Sequence, residues 1–183
     1  MIYLFFATGT EEIEALGTAD IIRRAGLDLQ IVSITGQRTV TGAHGIRVET
    51  DALLSEVDFF DADMLIFPGG LPGATNLAAC ADLNERLIDH VHLGRPAAAI
   101  CAAPLVLGRL GLLNGKRATC YPGFETELRG ATYTGALVEQ DGLFITGKGP
   151  AAVFEFGYAI VERLKDKATA DALRQGMLWS EVA

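Results

Sequence analysis

One cysteine sits where a buried strand must turn directly into a helix, in Ala97-Ala98-Ala99-Ile100-Cys101-Ala102-Ala103-Pro104. That layout is a nucleophile elbow, in which the reactive side chain rides a sharp, strained turn. The turn requires small residues two positions either side of the nucleophile, and here these are Ala99 and Ala103. Pro104 suits the first helical turn, where a missing N–H costs nothing. A thiol at a helix N-terminus meets unpaired N–H groups and the positive dipole end. Both favour thiolate, so the expected pKa of Cys101 lies below the usual value of about 8.5. The plain alternative is a small buried hydrophobe, and that reading is preferred for Cys80 and Cys120, which lack such a context.

A thiolate needs an acid/base partner. The histidines are His44, His90 and His92. His90 and His92 end the helix before the Ala97 strand, at the sheet edge opposite Cys101, and as an H-x-H pair they point apart. His44 lies in an extended excursion. Glutamate is the better candidate: Glu11, Glu12 and Glu14 open the helix after the first strand, where acidic side chains also complement the dipole. Glu14 is singled out because Gly17 and Thr18, three and four residues on, form a tight groove on its face. Burial there would raise its pKa, leaving a neutral acid able to donate to the thiolate and then shuttle a proton. Pro68-Gly69-Gly70-Leu71-Pro72-Gly73 supplies backbone that can approach a substrate closely. The N–H groups of Gly70 and Ala102 could together hold an oxyanion.

These residues depend on a parallel sheet. Ile2 to Phe6, Leu29 to Ile34, Met64 to Phe67 and Ala97 to Ile100 read as strands, the apolar ones covered on both faces. Helices are expected over Glu11 to Arg24, Ala74 to Leu93 in two pieces, Ala103 to Leu113, Ala151 to Leu164 and Ala168 to Met177. Thr39 to Thr50 reads as a hairpin, Ala118 to Tyr121 as a short strand, and Gln140-Asp141-Gly142 as the turn of a second hairpin. The alternation gives an α/β doubly wound sheet with helices on both faces, whose ligands sit beyond the strands' carboxyl ends.

Composition removes several functions. The 183 residues, half of them hydrophobic, suit one domain with a large core. The net charge of −8 provides no basic face for nucleic acid and no affinity for an anionic membrane. Met1 to Ala7 has no basic residues before it, so it reads as a strand rather than a leader. Three cysteines without a Cys-x-x-Cys argue against a disulfide scaffold or structural zinc, and a cytoplasmic setting is expected.

Four blocks together resemble the ThiJ/PfpI superfamily, in the branch of the chaperone-like protein YajL and the parkinsonism-associated protein deglycase. They are Gly9-Thr10-Glu11-Glu12-Ile13-Glu14, Phe67-Pro68-Gly69-Gly70-Leu71-Pro72-Gly73-Ala74, Ala98 to Pro104, and Gly149-Pro150 through Phe154-Glu155-Phe156. The resemblance covers nearly the whole chain. It implies a flavodoxin-like three-layer sandwich forming a homodimer, with Cys101 as an oxidisable nucleophile and Glu14 as its acid/base. Gly70 and Ala102 match the family's backbone donors, with Gly69 beside them. It further implies cofactor-free and metal-free chemistry on a small carbonyl substrate (methylglyoxal to lactate) or on early glycation adducts. Redox sensing and chaperone activity are also ascribed to such proteins.

Departures narrow this. Ala102 stands where peptidase branches place histidine, which argues against peptidase activity. No histidine follows His92, so the His–Glu pair of glutamine amidotransferases is missing. Tyr121 replaces a pocket histidine and offers a hydroxyl but no base near neutral pH. His44 falls in the segment that, by resemblance, meets the partner subunit near its cysteine. A flavin phosphate at Ala7-Thr8-Gly9-Thr10 would be repelled by the three glutamates that follow. The competing readings are therefore an enzyme and a redox sensor or chaperone using the same sulfur.

Overall fold

The computed structural model describes residues 1–181. In chain order its elements are β1 (Ile2–Phe6), α1 (Glu12–Arg24), β2 (Leu29–Ser33), β3 (Thr39–Thr41), β4 (Arg47–Glu49), β5 (Ala52–Leu53), β6 (Met64–Phe67), α2 (Gly73–Ala79), α3 (Ala81–His92), β7 (Ala97–Ile100) and α4 (Pro104–Arg109). There follow β8 (Arg117–Ala118), β9 (Thr132–Tyr133), β10 (Val138–Asp141), β11 (Phe144–Gly147), α5 (Val153–Leu164) and α6 (Lys167–Gly176). The central sheet has seven strands in the order β10-β11-β7-β6-β1-β2-β5. Only β10 runs antiparallel to its neighbour.

Register does the positioning. Ile2 lies opposite both Leu29 and Met64, and Ala97 lies opposite both Leu65 and Phe144. With their starts level, the central strands all end at one edge, at Phe6, Phe67, Ile100 and Gly147. Every side chain of β1, β6, β7 and β11 is buried, as strands covered on both faces require. One helix group is α1, α5 and α6; the other is α2, α3 and α4. The result is the expected flavodoxin-like three-layer sandwich. Among the described residues no helix is long and apolar enough to cross a membrane.

Three local expectations change. The helix from Ala103 is shorter, because α4 ends at Arg109 and Gly111 turns the chain with φ +73°. The strand expected over Ala118 to Tyr121 keeps only Arg117–Ala118, paired with β9 in a small separate sheet. Its continuation is drawn off by the main sheet: the Thr119 N–H donates to Thr146 Oγ1 and the Tyr121 N–H to the Cys101 carbonyl. The edge strand β5 is too short to have left an alternating pattern.

The close approach of α1 to α5 rests on two glycines. A Cβ on Gly17 would lie 2.6 Å from Val153 Cγ1, and one on Gly157 would lie 2.7 Å from Ile21 Cδ1. Gly157→Leu should lower unfolding free energy in urea by about 1–3 kcal/mol, the cost of overpacking a close-packed contact. An unchanged urea midpoint would contradict this packing.

Candidate active site

Cys101 is the first residue past β7, with φ +63°, a left-handed conformation that is costly for any residue but glycine. Backbone bonds on both sides impose it. The Cys101 N–H donates to the Gly147 carbonyl at 2.9 Å, and the Cys101 carbonyl accepts from the Tyr121 N–H at 2.8 Å. The residue is buried, with 8% of its surface exposed.

The three glutamates at the start of α1 divide three tasks. Glu11 is the N-cap, its carboxylate accepting from the Glu14 N–H at 2.7 Å. Glu12 turns the other way and holds the β3–β4 turn. Its Oε1 accepts from the His44 and Ile46 N–H groups at 2.9 and 3.3 Å, and Oε2 lies 2.9 Å from His44 Nδ1. Glu14 points inward and is fully buried, with Oε2 accepting from the Gly69 N–H at 2.8 Å. Among the described residues its Oε1 has no regular hydrogen bond. The Cys101 thiol is the group whose proton couples to this carboxyl.

Gly69 makes that meeting possible. A Cβ there would stand 2.7 Å from both Cys101 Cβ and Glu14 Oε2. The groove around the carboxyl is therefore made by Gly69, whereas Gly17, expected from the sequence to form it, packs on α5. Gly70 takes φ +84°, and its N–H and that of Ala102 act on the Cys101 thiol in the sense that favours thiolate.

Burial raises Glu14 from an ordinary 4.5 to about 7, against the opposing influence of the thiol and the Gly69 N–H. Cys101 is pushed up to about 12, first by burial and then by the charge on Glu14. The expectation of a thiol with lowered pKa is thus corrected. The Gly70 and Ala102 N–H groups do favour thiolate, but burial and the adjacent carboxylate outweigh them. Burial disfavours charge on both groups, so the pair retains protons to higher pH than an ordinary glutamate and holds the thiol proton above the ordinary cysteine range.

The other expected residues lie around this centre. Tyr121 is 47% exposed, and its ring lines a pocket of about 230 Å³ with Pro122, Leu137, Gly149 and Pro150. Its lining includes Tyr121, whose N–H anchors Cys101, and Lys148, the residue after Gly147, whose carbonyl does the same. His44 is held by Glu12 on the outward side of α1, its side chain 69% exposed, and is not brought to Cys101 within the chain. Ligand atoms of Glu11, Glu12 and His44 converge within 4.8 Å, but both Glu12 oxygens already face the N–H groups and ring of the β3–β4 turn. Cys120 is fully buried and Cys80 marks the break between α2 and α3, so both pack. Gly147, which anchors Cys101, carried no signal in the sequence.

Residues 1–163 match the model of the DJ-1/PfpI family. The chain belongs to the DJ-1/PfpI family. It is 42% identical over 166 residues to Protein DJ-1 homolog B of Arabidopsis thaliana, covering 90% of this chain and 38% of that protein. The chain also spans less than half of Protein DJ-1 homolog A from the same plant. Against Drosophila melanogaster Protein dj-1beta it is 32% identical, covering 96% of this chain and 95% of the relative. It is 34% identical to the Caenorhabditis elegans glutathione-independent glyoxalase DJR-1.2, covering 89% and 87%. Among solved structures, oxidized Toxoplasma gondii DJ-1 superposes with a TM-score of 0.93 at 32% identity, covering 97% of both chains.

Two outcomes follow for this DJ-1/PfpI site. Because Glu14 binds its proton more tightly folded than unfolded, wild-type stability falls as pH rises from 4.5 to about 7. Over that interval the Glu14→Gln variant should gain about 3 kcal/mol relative to wild type, read from urea melts at pH 4.5 and pH 8. A pH-independent difference would refute the raised carboxyl. Gly69→Ala would place a Cβ 2.7 Å from both side chains and should lower unfolding free energy in urea by about 1–3 kcal/mol, while an unchanged urea midpoint would refute the wedge.

Proposed function

We propose that this chain is a cofactor-free glyoxalase or deglycase-like enzyme acting on small 2-oxoaldehydes or early glycation adducts. The observation that carries this reading is the buried Glu14 carboxyl, raised to about 7, coupled to the Cys101 thiol on a strained turn. A carboxyl of that pKa can both take and return a proton near neutral pH. The C. elegans relative named as a glutathione-independent glyoxalase supports the same chemistry.

The steps balance without a cofactor. Glu14 carboxylate takes the thiol proton as Cys101 sulfur adds to the aldehyde carbon, and the new oxyanion is held by the N–H groups of Gly70 and Ala102. Glu14 returns its proton to that oxygen, giving a hemithioacetal. Glu14 then removes the proton of the former aldehyde carbon as the ketone oxygen gains one, giving an enediol, and returns a proton to the neighbouring carbon as the first hydroxyl gives up its own. This leaves a 2-hydroxyacyl thioester. Water cleaves the thioester, releasing the hydroxy acid and restoring the thiol. Methylglyoxal would give lactate, with no net oxidation or reduction.

The same surroundings suit a second reading. Two N–H donors and a carboxyl able to donate a proton would stabilise a sulfinate on Cys101, the state that a redox sensor uses. The oxidized T. gondii relative favours keeping it. A homodimer is proposed through the outward side of α1, where Ile13 and Leu16 are exposed beside Ile46 of the β3–β4 turn. His44 would then face the partner subunit. A cytoplasmic location fits the free cysteines.

Cys101→Ala should abolish lactate formation from methylglyoxal, and retained turnover would refute the enzyme. Wild-type kcat/KM should rise with one ionisation near pH 7, and Glu14→Gln should lower it at least a hundredfold and remove that limb. Negligible wild-type turnover, with peroxide adding two oxygens at Cys101, would leave the sensor. Ile13→Asp combined with Leu16→Asp should convert a dimer to a monomer in light scattering, and an unchanged mass would refute that interface.

A further inference from the structure

Glu11 has a bearing on Glu14 beyond capping its helix. It stands three residues ahead, and its side chain is only 8% exposed. Its two carboxylate oxygens face different groups. Oε2 accepts from the Glu14 N–H at 2.7 Å. Among the described residues Oε1 accepts no hydrogen bond, and His44 Nδ1 lies 3.7 Å from it.

The main chain sets the separation of the two glutamates. The Glu11 N–H donates to the Gly69 carbonyl at 2.9 Å, and the Gly69 N–H donates to Glu14 Oε2 at 2.8 Å. Both therefore hold the same glycine, Glu11 by its backbone and Glu14 by its carboxyl. Two buried carboxylates held close repel, so the charge on Glu11 adds to burial in keeping the Glu14 proton on. The other groups facing the Glu14 carboxyl, the Cys101 thiol and the Gly69 N–H, act in the opposite sense.

His44 meets Glu11 from the β3–β4 turn. Its Nδ1 also lies 2.9 Å from Glu12 Oε2, and Glu12 first, then Glu11, raise the affinity of the ring for a proton. The ring is largely exposed and can exchange that proton with solvent. An imidazolium beside Glu11 offsets the field that Glu11 exerts, whereas a neutral ring leaves it whole. Glu11 and His44 thus bear on Glu14 with opposite signs.

We propose that Glu11 is a positioning residue that tunes the Glu14 acid/base through its like charge, and that the charge on His44 sets how strongly it does so. The inference rests on Glu14 being the acid/base of the proposed enzyme.

The test is the Glu14 carboxyl titration, followed by carbon-13 NMR on the full chain at low salt. Glu11→Gln keeps a capping oxygen and loses the charge, so it should move that titration down by about half a pH unit. His44→Gln should move it up by about a quarter of a pH unit, and His44→Lys should bring it back to the wild-type position or below. With Glu11→Gln already present, His44→Gln should have less than half of its effect alone, which shows that the coupling runs through Glu11. The kcat/KM limb near pH 7 should move with each titration. A loosened helix start would move Glu14 the same way in both single variants, so opposed shifts are the signature of charge. The proposal is overturned if the two substitutions move Glu14 in the same direction, or if either leaves it unmoved. A wild-type Glu14 titrating at the usual 4.5 would sink the enzyme reading, and the signs of the shifts would still decide this inference. If Glu11→Gln fails to fold, His44→Gln against His44→Lys decides it.

Discussion

Glu14 and Cys101 come from different elements and meet across a glycine. Gly69 is the one position where a single carbon would part them, since its Cβ would stand 2.7 Å from each. Everything chemical in the molecule depends on that thin wall. The level ends of β1, β6 and β7 bring the start of α1, the glycine loop and the elbow to one edge. The carboxyl is then fully buried, and burial sets its affinity for a proton.

The fold holds this arrangement against local preference. Cys101 keeps a left-handed backbone because Gly147 and Tyr121 fix its N–H and carbonyl. Glu14 keeps a buried carboxyl that costs stability at neutral pH. Both are costs that the packed core covers, with α1 locked to α5 through Gly17 and Gly157. Strain and desolvation of this kind gather at sites that do chemistry. Glu11 and Glu12 allow Glu14 its exceptional position, one by capping the helix and the other by securing the turn outside it.

Much of this was legible in the sequence. Continuous apolar runs marked the buried strands, and Ala99, Cys101, Ala103 and Pro104 marked the elbow. Glu14 stood out by its small neighbours, although the groove belongs to Gly69 and Gly17 serves α5. What was illegible depends on contacts distant along the chain. Gly147 anchors Cys101 from another strand, and Thr146 and the Cys101 carbonyl draw Thr119 and Tyr121 away from the small sheet. The proton balance was illegible for the same reason. The helix start favours thiolate by local rules, but the charge on Glu14 and the depth of burial are tertiary facts.

Burial makes Glu14 a neutral-range acid beside Cys101. Carbon-13 NMR of the labelled glutamate carboxyls, with Glu14 assigned by its Gln variant, reads this out. The Glu14 carboxyl should titrate near pH 7, well above the usual 4.5. If Glu14 instead titrates at the usual glutamate value of 4.5, the shared proton and the chemistry built on it are contradicted.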